Sequence, residues 1–254
     1  MGEGAELPTA QKVKDAQATL IYAAWLSRFA TAVLGDELKV LNLRISSTAQ
    51  RKLLVRMLHQ PEKLATGISP ISHEPILFDD LATPAVIESR RQLAAQALLS
   101  TLSYLRGRLG ADFGKWRWGQ VHTLTLDFPG GISALNVPGP DDTQHKGGFA
   151  RQGDDGTVDV GGHGLSTTNF TYADGAAIRF VCEMTPEGPR AKNALPGGQI
   201  FDPGSPHYAD QMEKWRRNQT FELAFTDADV LKSAMKEYST NKLGRVRFAP
   251  KPPL

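Results

Sequence analysis

Six histidines are the residues of this chain best suited to acid–base or metal chemistry, because imidazole titrates near neutrality and binds transition metals. His145 and His163 fall in a Gly-rich stretch but lack the i, i+4 or short-loop spacing of a preorganised zinc pair. His122 follows Trp116, Trp118 and Gly119 at the start of an expected strand, and His207 opens an expected helix. Either becomes a general base only if a nucleophile is presented to it; otherwise it makes a fixed hydrogen bond to nearby backbone. No Gly-x-Ser-x-Gly nucleophile elbow occurs, and no phosphate-cradling Gly-x-x-x-x-Gly-Lys-Ser/Thr run. Gly161-Gly162-His163-Gly164 lacks a downstream elbow, so it reads as a flexible loop and not as an oxyanion loop. The carboxylate pairs Asp79/Asp80, Asp141/Asp142 and Asp154/Asp155 lack calcium-loop spacing and read as turn-forming or capping acids. Cys182 is the only cysteine, which excludes an intramolecular disulfide and a Cys-based zinc site. Its apolar surroundings, IRFVCEM, predict a buried, inert side chain. The residues therefore offer no self-contained active site, with no catalytic residue and no metal ligand to name.

The bulk chemistry narrows the partners. The chain has 254 residues, with 29 Lys plus Arg against 27 Asp plus Glu, a formal charge of +2. That near balance argues against a nucleic-acid binder held by a dense basic surface. A hydrophobic fraction of 41% and a charged fraction of 22% are ordinary for a folded protein. No apolar stretch is expected to reach the roughly 18–20 residues of a membrane helix. The N-terminus MGEGAELPTAQKVKD lacks the apolar core of a secretory signal.

The elements that must position these residues fall into three stretches. Residues 1–110 read as mainly helical. Val13, Leu20, Ile21, Ala24, Trp25, Ala32 and Val33 recur at helical spacing, with Gly35 as the expected stop. A second helix is predicted from Ser47 to His59, blocked by Pro61. A third is predicted to start at Thr83-Pro84, a cap followed by Pro at the first helical position, and to end at Gly110. Residues 111–254 read as β-rich. Strands are predicted in VHTLTLDF, GISALNVPG and GAAIRFVCEM, the last preceded by a turn at Asp174-Gly175. A Gly/Asp loop at about 138–170 carries at most one short strand, Thr157 to Val160. C-terminal helices follow. One is capped by Ser205 and places His207, Gln211 and Trp215 on one face; the other is capped by Thr226, with Phe225 and Val230 as a hydrophobic staple. A basic strand is expected at Gly244 to Phe248. Helices, then antiparallel strands, then helices define an α+β class.

Four stretches in order resemble the penicillin acylase family of N-terminal-nucleophile amidases, which cleave linear amides. ATLIYAAWLSRFATAVLGDEL resembles a helix with a central Trp, and LFDDLATPAVIESRRQLAAQAL an Asp-Asp-x-x-Thr-Pro helix start. WRWGQVHTLTLDFP resembles the family's Trp-x-Trp-Gly-x-x-His strand, and LPGGQIFDPGSPHYADQMEKW its Ser-Pro-His-Tyr-x-Asp-Gln segment. The family usually has Gly-Gln-Ser-Gly, whereas here Gly198-Gln199 is followed by Ile200-Phe201. The signature positions are Trp118, Gly119, His122, Gly198, Gln199, Ser205, His207, Tyr208, Asp210 and Gln211, and their expected role is structural.

The resemblance implies that this chain is the C-terminal part of a large (β) subunit, one structural unit of a larger acylase and a portion of a four-layer αββα sandwich. The family nucleophile is a Ser that becomes an N-terminus by self-cleavage, its α-amine acting as base. Ser205 is the only Ser preceded by Gly, but it belongs to the Ser-Pro-His-Tyr segment and has too little chain after it. The nucleophile is thus expected on a missing N-terminal acylase portion, which would be the partner of this chain. The family calcium site is expected mostly outside it, leaving no cofactor in this chain. A small amide would bind only the complete enzyme, with neither nucleic acid nor membrane as partner, and relatives are commonly periplasmic. The rival expectation is a non-catalytic scaffold that docks to a separate acylase-like partner.

Overall fold

The computed structural model describes residues 9–64, 66–80, 83 and 85–237. It divides into two compact units, one running to Gly175 and the other starting at Ala176.

The first unit is built along helix α1, Ala10–Val40, whose N-terminus is capped by the Thr9 hydroxyl accepting from Lys12 N at 3.2 Å. Gly35 does not stop this helix as expected. Leu34 is buried and Leu38 packs against the same core, and their burial outweighs the roughly 1 kcal/mol that an interior glycine costs. By length and composition α1 could also cross a membrane, contrary to the expectation that no stretch qualifies. Its apolar side chains are nonetheless used inside the protein. Leu20, Ala23 and Ala24 form one cluster with Leu105, Trp116, Trp118, Val121 and Phe170. Phe29, Ala30, Val33 and Leu34 form another with Leu54, Met57, Phe78, Leu93 and Ala97.

Helix α2, Ser47–His59, has its predicted bounds, with Ser46 capping Ala49 N at 3.2 Å and Pro61 opening the next turn. Helix α3, Arg90–Leu109, starts later than the Thr83-Pro84 signal predicts. Ser89 and Gln92 form a reciprocal capping box there. Thr83 instead donates its hydroxyl to Glu88 at 2.7 Å, and Glu88 also accepts from Asp80 N at 3.2 Å, which holds the preceding segment as a loop. Pro84 lies outside the described residues. The predicted end holds: Gly110 has φ +89°, a conformation that glycine adopts without steric cost.

The predicted strands of this unit shrink. VHTLTLDF retains only β1, Thr123–Leu124, paired antiparallel with β2, Phe149–Ala150, and one further bridge joins Leu126 to Val137. GISALNVPG contains a 3-10 turn at Ser133–Leu135 in place of a strand. The short strand expected at Thr157 to Val160 is a turn; β3 lies just beyond it, at Gly161–Gly162, and pairs with β4, Asp174–Gly175. Asp174-Gly175, expected as a turn, is therefore strand. These segments satisfy their backbone through the loop: Arg151 N donates to His122 O at 2.9 Å and Tyr172 N to Thr123 O at 2.9 Å.

In the second unit β5, Arg179–Thr185, and β6, Gly188–Ala194, form a hairpin, and β7, Phe221–Glu222, adds to β6. Cys182 is exposed on β5, so the expectation of a buried thiol fails: the strand is apolar on a face that no described residue buries. Pro206 does not begin a helix. Residues 203–211 are turns, and helix α4 is only Met212–Arg216, because Ser205 and Asp202 tie their hydrogen bonds into local turns. Helix α5, Asp227–Glu237, is capped by Thr226 as expected, its hydroxyl accepting from Asp229 N at 3.2 Å. The staple residues Phe225 and Val230 remain exposed. The strand expected at Gly244 to Phe248 lies outside the described residues. Helices and antiparallel strands share the chain, the α+β class expected.

Candidate functional site

The first unit gathers its chemistry around Trp118. A 3-10 turn at Trp118–Gln120 sits against α1 and presents the indole, 4% exposed, to the ring of His122. The two rings stack at 4.5 Å with planes 14° apart. The close approach of chain to chain here requires glycine: a Cβ on Gly119 would lie 2.9 Å from Ala150 Cβ. The Trp118 indole N–H donates to Gly153 O at 3.1 Å, which ties the turn to the Gly/Asp loop.

That loop brings in a second imidazole. His163 lies with its ring centroid 5.9 Å from that of His122, and Phe170 packs 5.4 Å from it. Both histidines are buried, His122 fully. His122 Nδ1 donates to Phe170 O at 2.7 Å and His163 Nδ1 to Gly164 O at 2.9 Å, so each ring turns Nε2 inward. Neither Nε2 has a hydrogen-bond partner among the described residues. Gly161 leaves room for one of them, since a Cβ there would stand 2.9 Å from His122 Nε2.

The two rings face different charges. Asp154 Oδ2 is 3.8 Å from His163 Nε2, too long for a hydrogen bond but close enough for a charge pair. Burial opposes charge on His163, yet Asp154, helped by the hydrogen bond to the Gly164 carbonyl, outweighs it and raises the pKa above the usual value. Burial, reinforced by the neighbouring His163, pulls His122 below its usual value, against the hydrogen bond to Phe170. Asp154 is itself half-buried, which works against its charge. His163 and Arg51 prevail and hold its carboxyl below the ordinary range. Arg51 reaches from α2 to Asp154 at 3.3 Å and Asp155 at 2.9 Å. Beside the cluster a 440 Å³ cavity is lined by Lys12, Asp15, Thr19, Trp118, Arg151 and Asp154. Another perturbed carboxyl lies elsewhere: burial, with Asp36 alongside, raises Glu37 to about 8.

The structure thus joins His122 to His163 and Asp154, which sequence spacing did not connect. His163 was read as part of a flexible loop and Asp154 as a turn acid, yet both are packed, His163 on the buried side. The usable signal was the glycine density around His163, which reports close packing as readily as flexibility. His145 is separate and pairs locally with Asp142 at 2.8 Å.

In the second unit the signature segment closes on itself. Gln211, nearly buried, accepts from Leu195 N at 3.0 Å through its side chain, and its own N–H donates to Gly197 O at 3.0 Å. Gly198 has no room for a Cβ against the His207 carbonyl. His207 Nδ1 meets Asp210 Oδ2 at 2.8 Å, and Ser205 Oγ accepts from His207 N at 3.2 Å. His207 therefore lies in a turn, outside α4, and does not share a helical face with Gln211 and Trp215. Gln199 is exposed, while Ser205 and Tyr208 are half-buried. Among the described residues no group of three or more His, Cys, Asp or Glu is placed to hold a metal ion.

A sequence profile of the penicillin amidase family matches residues 9–232. The chain belongs to that family. Among individual proteins it is similar to the acyl-homoserine lactone acylase QuiP of Pseudomonas aeruginosa, 24% identical over 156 residues, a stretch that is 58% of this chain and 18% of that relative. It is also similar to QuiP of Pseudomonas syringae pv. tomato, 23% identical over 66% of this chain and 20% of that relative. Among solved structures it aligns with the thermostable penicillin G acylase from Alcaligenes faecalis at 16% identity and TM-score 0.41, over 93% of this chain and 39% of the other. The chain spans about a fifth of the length of the curated relatives it matches.

Proposed function

We propose that this chain is the C-terminal portion of the large subunit of a penicillin-acylase-like amidohydrolase, which cleaves linear amides by acyl transfer. The observation that carries the reading is the mismatch of two extents. Residues 9–232 match the family, yet the 156 residues that align with the P. aeruginosa relative are only 18% of that protein. The complete enzyme would use a Ser at the N-terminus of the large subunit, outside this chain. Its Oγ attacks the amide carbonyl, the C–N bond breaks as the α-amine passes the Ser proton to the departing amine, and water then hydrolyses the acyl ester. The His122–His163–Asp154 cluster and the Gln211 turn hold the scaffold in this reading; no described hydroxyl or thiol is hydrogen-bonded to either inward Nε2. Acyl-homoserine lactones are the substrate class to try first, since the QuiP relatives are named for acting on them.

The purified chain is expected to release no product from a chromogenic phenylacetyl anilide or from an acyl-homoserine lactone. Hydrolysis that tracks this protein through purification would refute the reading.

A further inference from the structure

A groove of about 600 Å³ runs between α1, α3 and residues 166–168. Arg28 is the one charged side chain among the described residues that line it. Gln96 and Ser100 from α3 and Thr168 give its rim exposed amide and hydroxyl groups. Ala32 is half-buried and Ala97 buried, and together they form a low apolar floor, because neither side chain extends beyond Cβ. Tyr104 holds the guanidinium in place. Its ring centroid lies 4.0 Å from Arg28 Cζ, and its hydroxyl donates to Thr168 O at 2.9 Å while accepting from Arg108 at 2.7 Å. Stacking uses a face of the guanidinium and leaves the in-plane N–H groups to other acceptors. Among the described residues Arg28 makes one hydrogen bond, from Nη1 to Ala24 O at 3.4 Å, which is longer than the usual N–H···O range. No carboxylate pairs with it there. Burial lowers its pKa against the pull of Tyr104, but a guanidinium remains charged at neutral pH.

We propose that this groove binds a short monocarboxylic acid as its anion, with the carboxylate on the Arg28 guanidinium and the carbon chain over Ala32 and Ala97. Three properties select that class. The open guanidinium donors lie in one plane, which two carboxylate oxygens match as a bidentate pair. A half-buried cation with no acid beside it calls for one negative charge. The apolar floor next to that cation favours a few carbons over a bare ion, and the volume lies within the range of small-molecule sites. The inference does not depend on the acylase reading, since every residue it uses lies in the first compact unit of this chain.

Ligand-observed saturation-transfer NMR on the dilute full chain tests this, with butyrate as the probe. Butyrate is expected to bind. Butyramide has the same shape without the charge and should bind roughly tenfold more weakly, the order expected for a charge-assisted pair. Arg28→Gln should weaken butyrate by a similar factor with an unchanged far-ultraviolet circular dichroism spectrum. Arg106→Gln removes an exposed cation of α3 outside the groove and should leave binding within about twofold. A measurement on the native chain locates the site even if Arg28→Gln does not fold. Butyrate is expected to slow phenylglyoxal modification of Arg28, read by peptide mass spectrometry, and to leave that of Arg106 unchanged. Absent butyrate binding, equal binding of butyramide, or an Arg28 that butyrate does not protect overturns the site. Inorganic phosphate that displaces butyrate at equal concentration makes the groove a general anion site. A blocked Gly-Glu-Gly peptide that displaces it makes the occupant an acidic side chain of another polypeptide. Either displacement overturns the assignment to a free acid.

Discussion

His122 and His163 are the same residue type in the same cluster, yet their surroundings push them in opposite directions. His163 binds its proton more tightly in the folded state, so its contribution to stability is full below the unfolded value of 6.5 and fades as pH rises through the raised folded pKa. His122 binds its proton less tightly, so it costs stability as pH falls below 6.5. The two slopes oppose each other in the native chain. His163→Gln leaves His122 alone, and urea midpoints should then fall steadily from pH 8 to pH 5. His122→Asn keeps a donor for the Phe170 carbonyl, and its midpoints should rise toward acid over that range. Identical pH profiles for both variants and the native chain would show that these rings do not carry the predicted charges. Single-residue identity was legible in the sequence here, but charge state was not, because Asp154 and Arg51 reach the site from separate segments.

Helix ends show the same division between local and distant causes. The end of α3 at Gly110 was legible because φ +89° is a demand on one residue. Its start was not legible: the sequence pointed to Thr83-Pro84, whereas the structure caps the helix with Ser89 and Gln92. Glu88 decides between them by taking the Thr83 hydroxyl for itself. Ser89→Ala is therefore expected to cost about 1 kcal/mol and to speed hydrogen exchange at the Gln92 and Leu93 amides. Thr83→Ala should leave those two amides protected, because Thr83 caps no helix. Equal loss of protection in both variants would place the cap wrongly. The short strands were the least legible elements: β1 to β4 are two residues each, and their partners are set by loop closure, so the pattern of VHTLTLDF did not give their length or pairing.

For the whole molecule, the exposed apolar side chains on β5 and β7 and around α5 are expected to make the chain aggregate when it is expressed alone, and the acylase reading gives the remedy. Co-expression with the P. aeruginosa acyl-homoserine lactone acylase lacking the stretch that matches this chain should raise soluble yield several-fold over expression alone, measured on clarified lysate. A monodisperse, freely soluble monomer whose yield ignores that polypeptide would favour the free-standing scaffold instead. Length is the property that frames this test. A chain of 254 residues suffices for a domain on composition alone, but it matches only a fifth of its relatives.

By itself the sequence determined the family, the α+β class and the bounds of α2, because ordered motifs, periodicity and local caps are properties of neighbouring residues. Only the tertiary structure decided that His163 and Asp154 join His122, that α1 runs through Gly35, and that Cys182 is exposed. Each of these depends on which distant surface arrives to bury, pair with or leave open a side chain, and no local pattern encodes that.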